Sequence, residues 1–229
     1  MKLKKGSFVG CGRTVIGLTG PIASGKSLAL SLFIKEGALG ISADAVSASL
    51  LTEPRCYNRI LRKFSADKIL TNGLLDKKKL AAEVFNSTAK RKWLESLLHP
   101  EILKRIHSLI TRSKSKIVVV ETPLLFEAGL SECFTFTVCL AAPEKVLESR
   151  ALKRGWNRAQ YGARAQAQMP AAEKYAKADI VLDNSGAPPE LAEKISFMCR
   201  FLGETAKQGK NERTTAVRKK ISEKSKHSA

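Results

Sequence analysis

Apolar positions along the chain fall into short continuous runs separated by helical stripes. Thr14–Leu18 is apolar and β-branched, the pattern of a short buried strand. It leads through a glycine-bearing loop into SLALSLFIKEG, where Ala29, Leu32 and Phe33 recur at i, i+3 and i+4 and Gly37 marks a stop. Leu39–Ala43 predicts a second strand, and Ala45–Leu51 the start of a helix. Residues 55–113 contain no convincing strand. They read as the helices YNRILRKF and LDKKKLAAEVF and a long one around Trp93–Ile110, broken near Pro100. Ile117–Val120 and Phe134–Leu140 are apolar strands; a helix then runs from Glu144 to about Arg154, followed by a polar stretch with Gly155 and Gly162. Ile180–Leu182 is the last strand and Pro189–Phe201 the closing helix. Five short apolar strands alternating with helices predict an α/β fold whose parallel sheet is covered on both faces.

Composition narrows the class. The 229 residues are 44% apolar and 27% charged, as in ordinary globular chains, which excludes wholesale disorder, collagen and disulfide miniproteins. Lys and Arg number 40 against 21 Asp and Glu, a formal charge of +19. The excess is concentrated at the ends: residues 207–229 carry +6 and the first thirteen residues +4, leaving +9 for residues 14–206. The basic 207–229 segment has no helical stripe and no interleaved aromatic, so a solvated, disordered tail is favoured over the alternative reading of the same segment, a phosphate-binding arm for RNA or DNA. Five cysteines (Cys11, Cys56, Cys133, Cys139, Cys199) form no C-x-x-C pair, the usage of reduced thiols in cytoplasm. No window approaches a membrane span. The apolar run before Cys11 is too short for a signal core, so export is rejected.

The chemistry starts at Gly20-Pro21-Ile22-Ala23-Ser24-Gly25-Lys26-Ser27, which satisfies G-x-x-x-x-G-K-[ST] between a predicted strand and helix. Such a loop wraps phosphate oxygens with backbone N–H groups, and its glycines permit close approach and unusual dihedrals. Lys26 supplies charge to the β- and γ-phosphates, Ser27 offers a hydroxyl to Mg²⁺, and the helix start adds its positive end. The chain therefore reads as a binder of a nucleoside triphosphate. No N-K-x-D motif and no D-x-x-G after the third strand supports a GTPase switch, and the chain is short for a helicase core. Phosphoryl transfer to a small acceptor is favoured. The alternatives are another P-loop nucleoside or nucleotide kinase and, in a different class, a nucleic-acid-binding P-loop protein using the basic ends.

From about Val15 to Leu202 the chain resembles the dephospho-coenzyme A kinase family. The resemblance rests on the order and spacing of several pieces: Ile16–Gly20 with the loop, Ala43-Asp44, Leu98-His99-Pro100, and Pro123-Leu124-Leu125-Phe126-Glu127. Arg164 with Gln168-Met169-Pro170, and Ala178–Gly186, complete the set. It implies transfer of the ATP γ-phosphate to the ribose 3′-hydroxyl of dephospho-coenzyme A, with Mg²⁺. No membrane partner is expected, a nucleic-acid partner is disfavoured, and oligomeric state is left open. The resemblance further implies a P-loop three-layer sandwich with a five-stranded parallel sheet, arranged as one kinase domain over residues 1–206. Its core would comprise residues 14–54, 114–147 and 178–206, with a helical acceptor-binding insertion at 55–113 and a helical lid at 148–177.

The resemblance also assigns roles. Gly20, Ala23, Ser24, Gly25, Lys26, Ser27 and Leu28 would bind ATP, with Arg164 as a weaker contributor. Asp44 would receive the proton of the attacking hydroxyl and, with Ser27, hold Mg²⁺; read from its residues alone, Asp44 is equally suited to cap the following helix. Arg150 and Arg154, spaced i, i+4, would clamp triphosphate charge. His99 would shape the acceptor pocket. Glu121 either holds a magnesium-bound water or merely occupies a strand end. The chain departs from the family pattern at Ser42, Pro21, Ala23 and Leu28, and Gly155–Ala163 lacks the usual acidic run, which bears on rate and ATP affinity.

Overall fold

A computed structural model of the chain describes Phe8, residues 13–85 and residues 87–204. The basic 207–229 tail and Cys11 lie outside the described residues. The described residues divide into two compact units: 42–109, and 13–41 together with 110–204.

The second of these units carries the sheet. Its strands are β1 (Thr14–Thr19), β2 (Leu39–Ser42), β5 (Ile117–Glu121), β6 (Phe136–Ala141) and β7 (Ile180–Asp183), in the order β2-β5-β1-β6-β7. A short antiparallel pair, β3 (Leu70–Thr71) and β4 (Leu74–Leu75), belongs to the other unit. β1 pairs in parallel with β5 and β6, and β6 with β7. β1 is buried along its whole length, which explains its continuous apolar character.

One face of β1 carries Ile16 and Leu18 into a core shared with Ala29 and Phe33 of α1 (Lys26–Lys35) and Leu191, Ile195 and Met198 of α10 (Pro188–Glu204). On the other face Gly17 leaves room for Leu125 and Phe134; a Cβ there would lie 2.6 Å from Leu125 Cδ1 and 2.7 Å from Phe134. Phe8 packs on Phe134, ring centroids 5.5 Å apart.

The polar stretch after α7 (Glu144–Lys153) is not irregular. It forms α8 (Arg158–Gln166) and α9 (Ala171–Lys177). α8 begins with a capping box: the Asn157 side chain accepts from Gln160 N at 2.8 Å, and Asn157 N donates to the Gln160 side chain at 3.0 Å. Tyr161 of α8 packs with Leu147 and Ala151 of α7 against Ala23 of the glycine loop.

The Ser42–Leu109 unit holds α2 (Ala43–Leu50), α3 (Pro54–Lys63), α4 (Ala66–Ile69), α5 (Lys77–Phe85) and most of α6 (Thr88–Arg112). Its core joins Ile60, Phe64, Ile69, Leu80 and Leu97, with Trp93 edge-on to Phe64. Two expectations fail here. The segment does contain strands, β3 (Leu70–Thr71) and β4 (Leu74–Leu75), closed by Asn72-Gly73 with φ of 51° and 77°. That pair of positive φ values is the two-residue turn that an Asn-Gly dipeptide favours. Nor is α6 broken at Pro100: it runs through it. Proline removes one N–H and crowds the preceding turn, but the helix buries Leu97 and Leu98 before it and Ile106 after it.

Candidate active site

The loop from Gly20 to Gly25 joins the carboxyl end of β1 to the N-terminus of α1, the edge of a parallel sheet where ligands bind. Three of its residues have positive φ: Gly20 at 150°, Ala23 at 60° and Gly25 at 94°. Left-handed residues among right-handed ones turn successive N–H groups toward one concavity, a nest for anions. The cradle is closely fitted, because a Cβ on Gly25 would run into Asn184 Nδ2. Asn184, 4% exposed just after β7, donates from that amide to Ser24 O at 2.8 Å.

Lys26 opens α1 and folds back over the loop, its Nζ donating to Gly20 O at 3.0 Å and Pro21 O at 2.9 Å. Ser27 Oγ donates to Glu121 Oε1 at 3.2 Å. Glu121 thus belongs to the loop's surroundings, at the end of β5 and 8% exposed. A hydroxyl and a carboxylate facing each other form a hard-oxygen pair suited to Mg²⁺, which takes few protein ligands beside phosphates. Among the described residues no cluster of three or more His, Cys, Asp or Glu forms a self-sufficient metal cage.

Among the buried polar atoms without a hydrogen-bond partner are Ser24 Oγ, in the loop itself, and Arg150 Nη1 of α7. A guanidinium nitrogen withheld from water without a partner is costly, and a bound phosphate would supply the acceptor. Arg150 is half-buried in the last turn of α7, whereas Arg154 stands exposed at the C-cap of that helix. Arg164 is also exposed and stacks over Trp156, its guanidinium carbon 4.5 Å from the ring centroid. Leu28 is 40% exposed in the first turn of α1.

In the Ser42–Leu109 unit, Asp44 lies exposed in the first turn of α2. It does not cap that helix. Ser42 is the N-cap and its Oγ accepts from Ala45 N at 3.3 Å. The position where the family usually carries an acid thus performs the capping, and Asp44 is released from it. His99 is exposed on α6.

Sequence reasoning gave no role to two side chains that the structure ties to the loop and to the turn after β5, although one lies within the quoted Ala178–Gly186 stretch. Asn184 is one. Lys174 of α9 is the other: it is fully buried, donates to Pro123 O at 2.8 Å and pairs with Glu127 at 2.9 Å. A cavity of about 430 Å³ opens over Pro21 and Ile22, walled by Tyr161, Gln168, Met169 and Pro170. No described helix is long and apolar enough to cross a membrane.

The family model for dephospho-CoA kinase matches residues 14–190. A dephospho-CoA kinase from Anaeromyxobacter dehalogenans is 38% identical over 186 residues, covering 79% of this chain and 88% of the relative. One from Carboxydothermus hydrogenoformans is 36% identical over 186 residues, with 79% and 90% covered. Among solved structures, a protein from Thermus thermophilus superposes with a TM-score of 0.75 at 32% identity, covering 86% of this chain and 99% of its own. The dephospho-CoA kinase of Campylobacter jejuni gives 0.62 at 25% identity, covering 83% and 97%.

Proposed function

Because the chain belongs to the dephospho-CoA kinase family, we propose that its glycine loop holds ATP for transfer of the γ-phosphate to the ribose 3′-hydroxyl of dephospho-coenzyme A. In this reaction a bond forms between the 3′-oxygen and the γ-phosphorus, the bridge to the β-phosphate breaks, and ADP and coenzyme A leave. The observation that carries the residue roles is the left-handed loop at the start of α1, with Lys26 folded over it.

Phosphoryl transfer proceeds through a loose transition state, so the protein's work is positioning and charge stabilisation. The loop N–H groups and the α1 N-terminus hold the phosphate oxygens of ATP across Gly20, Ala23, Ser24, Gly25, Lys26, Ser27 and Leu28. Lys26 exchanges its two carbonyl partners for β- and γ-phosphate oxygens. Arg150 meets the charge that shifts toward the β-phosphate as the bridge breaks; its unpartnered Nη1 supports this. Arg154 and Arg164 are exposed and contribute less. Ser27 and Asp44 would hold Mg²⁺, with Glu121 accepting from Ser27. When bound, that ion neutralises β- and γ-oxygen charge.

Asp44 orients the 3′-hydroxyl and receives its proton. Its place directly after β2 and its freedom from the capping role support this. Because the transition state is loose and the attacking oxygen bonds late, orientation is its larger contribution.

Purified protein supplied with ATP, Mg²⁺ and dephospho-coenzyme A is expected to release ADP in step with the acceptor consumed. Turnover with a nucleoside monophosphate and none with dephospho-coenzyme A would overturn the reading.

A further inference from the structure

Lys174 is the most deeply buried charge among the described side chains, yet the chemistry of the loop does not call on it. Its position joins three segments. Pro123 O, in the turn after β5, accepts from Lys174 Nζ at 2.8 Å and from Thr19 Oγ1 at 3.3 Å, and Thr19 immediately precedes Gly20. Glu127, later in that turn, pairs with Lys174 at 2.9 Å and accepts from Met169 N at 2.9 Å. One ammonium thus ties the root of the glycine loop, the turn after β5 and the start of the segment leading into α9. Burial alone would raise the Glu127 carboxyl, but the Lys174 ammonium and the Met169 N–H hold it below the usual carboxylate range.

The tied segment is a wall. Gln168, Met169, Pro170 and Ala171 line the cavity that opens over Pro21 and Ile22, the loop residues just after Gly20. That lining is largely apolar; its one charged residue is the acid Glu144, which accepts from Tyr161 Oη at 2.7 Å, and it has no lysine or arginine, so it does not suit a triphosphate. It suits an uncharged, mixed apolar and amide portion of an acceptor brought up to the loop.

We propose that Lys174 and Glu127 are positioning residues for the acceptor: by pinning residues 168–171 to the turn after β5, they fix the wall of the cavity over Pro21 and Ile22 in which the uncharged arm of dephospho-coenzyme A docks. The proposal rests on the functional reading given above.

Steady-state kinetics on the full chain separate the possibilities. Lys174→Met, which keeps the length and removes the charge, is expected to raise KM for dephospho-coenzyme A at least 10-fold while KM for ATP stays within 2-fold. Glu127→Ala should do the same. Glu127→Gln, which keeps an oxygen for the Met169 N–H, should shift it less than 3-fold. A merely structural pair would lower the folded fraction, and so the apparent kcat, with both KM values unchanged; that result overturns the proposal. Should a single variant fail to fold, Lys174→Met combined with Glu127→Leu leaves no unpaired buried charge and is read by the same two KM values. If wild type turns over dephospho-coenzyme A but the variants match it, the positioning role alone falls. If wild type does not turn it over, the functional reading falls first.

Discussion

Adding one methyl group at Gly25 would place a Cβ on a backbone at φ 94° and drive it into the Asn184 amide. Left-handed strain costs about 1–2 kcal/mol, and displacing Asn184 would strip Ser24 O of its donor. Gly25→Ala is therefore expected to abolish ATP binding by calorimetry and to lower stability by at least about 2 kcal/mol. Asp44 is a different kind of residue: exposed and outside the capping network. Asp44→Asn should leave ATP affinity unchanged and lower kcat by about 10²–10⁴; unchanged turnover would remove Asp44 from the chemistry. The thiols of Cys139 and Cys199 are pushed up to about 12 by burial, so alkylating reagents at neutral pH should modify them only after unfolding, as mass spectrometry can follow. Lys26 and Ser27 were legible because their motif is contiguous. Lys174 and Asn184 were not, because their partners Pro123 and Ser24 lie 51 and 160 positions away.

Among the elements, periodicity revealed those that bury a face against the sheet, such as β1, α1 and α10. It failed where local contacts decide. α8 has a single buried residue, Tyr161, so it shows no stripe, but its Asn157-x-x-Gln160 capping box was present to be read. Asn157→Ala is expected to cost about 1 kcal/mol, measured by chemical denaturation, and to speed amide exchange in the first turn of α8. Retention of the wild-type exchange pattern would mean that packing of Tyr161 alone holds the helix. The hairpin of β3 and β4 escaped notice for a related reason: two-residue strands are too short to display alternation, and only the Asn72-Gly73 turn announces them. α6 shows the converse error. Pro100 is a local stop signal, and apolar burial on both sides of it overrides that signal.

At the scale of the whole molecule, the residues from 14 to 206 hold +9 of the net +19, a balance fitting two polyphosphate ligands. Acid should act on the fold through Glu127. Its folded carboxyl titrates below its ordinary value, so its contribution is present above the unfolded pKa and is lost as pH falls through the folded one. Thermal unfolding between about pH 6 and about pH 3 should therefore fall more steeply for wild type than for Lys174→Met, whose Glu127 has lost its cation. Parallel slopes would deny the pair that role. The parallel sheet was legible as five apolar runs, but the order β2-β5-β1-β6-β7 was not, since nothing in a single strand names its neighbours.

That order has a consequence for how the protein is made. The glycine loop leaves the ribosome 160 residues ahead of the amide that braces it, because Asn184 follows β7 at the far edge of the sheet. Contacts of such separation form late, because the intervening chain must first be ordered. A nascent chain that has emerged only through β6 thus carries the glycine loop without its Asn184 brace, and it is expected to hold a nucleotide less tightly than the chain extended past Asn184.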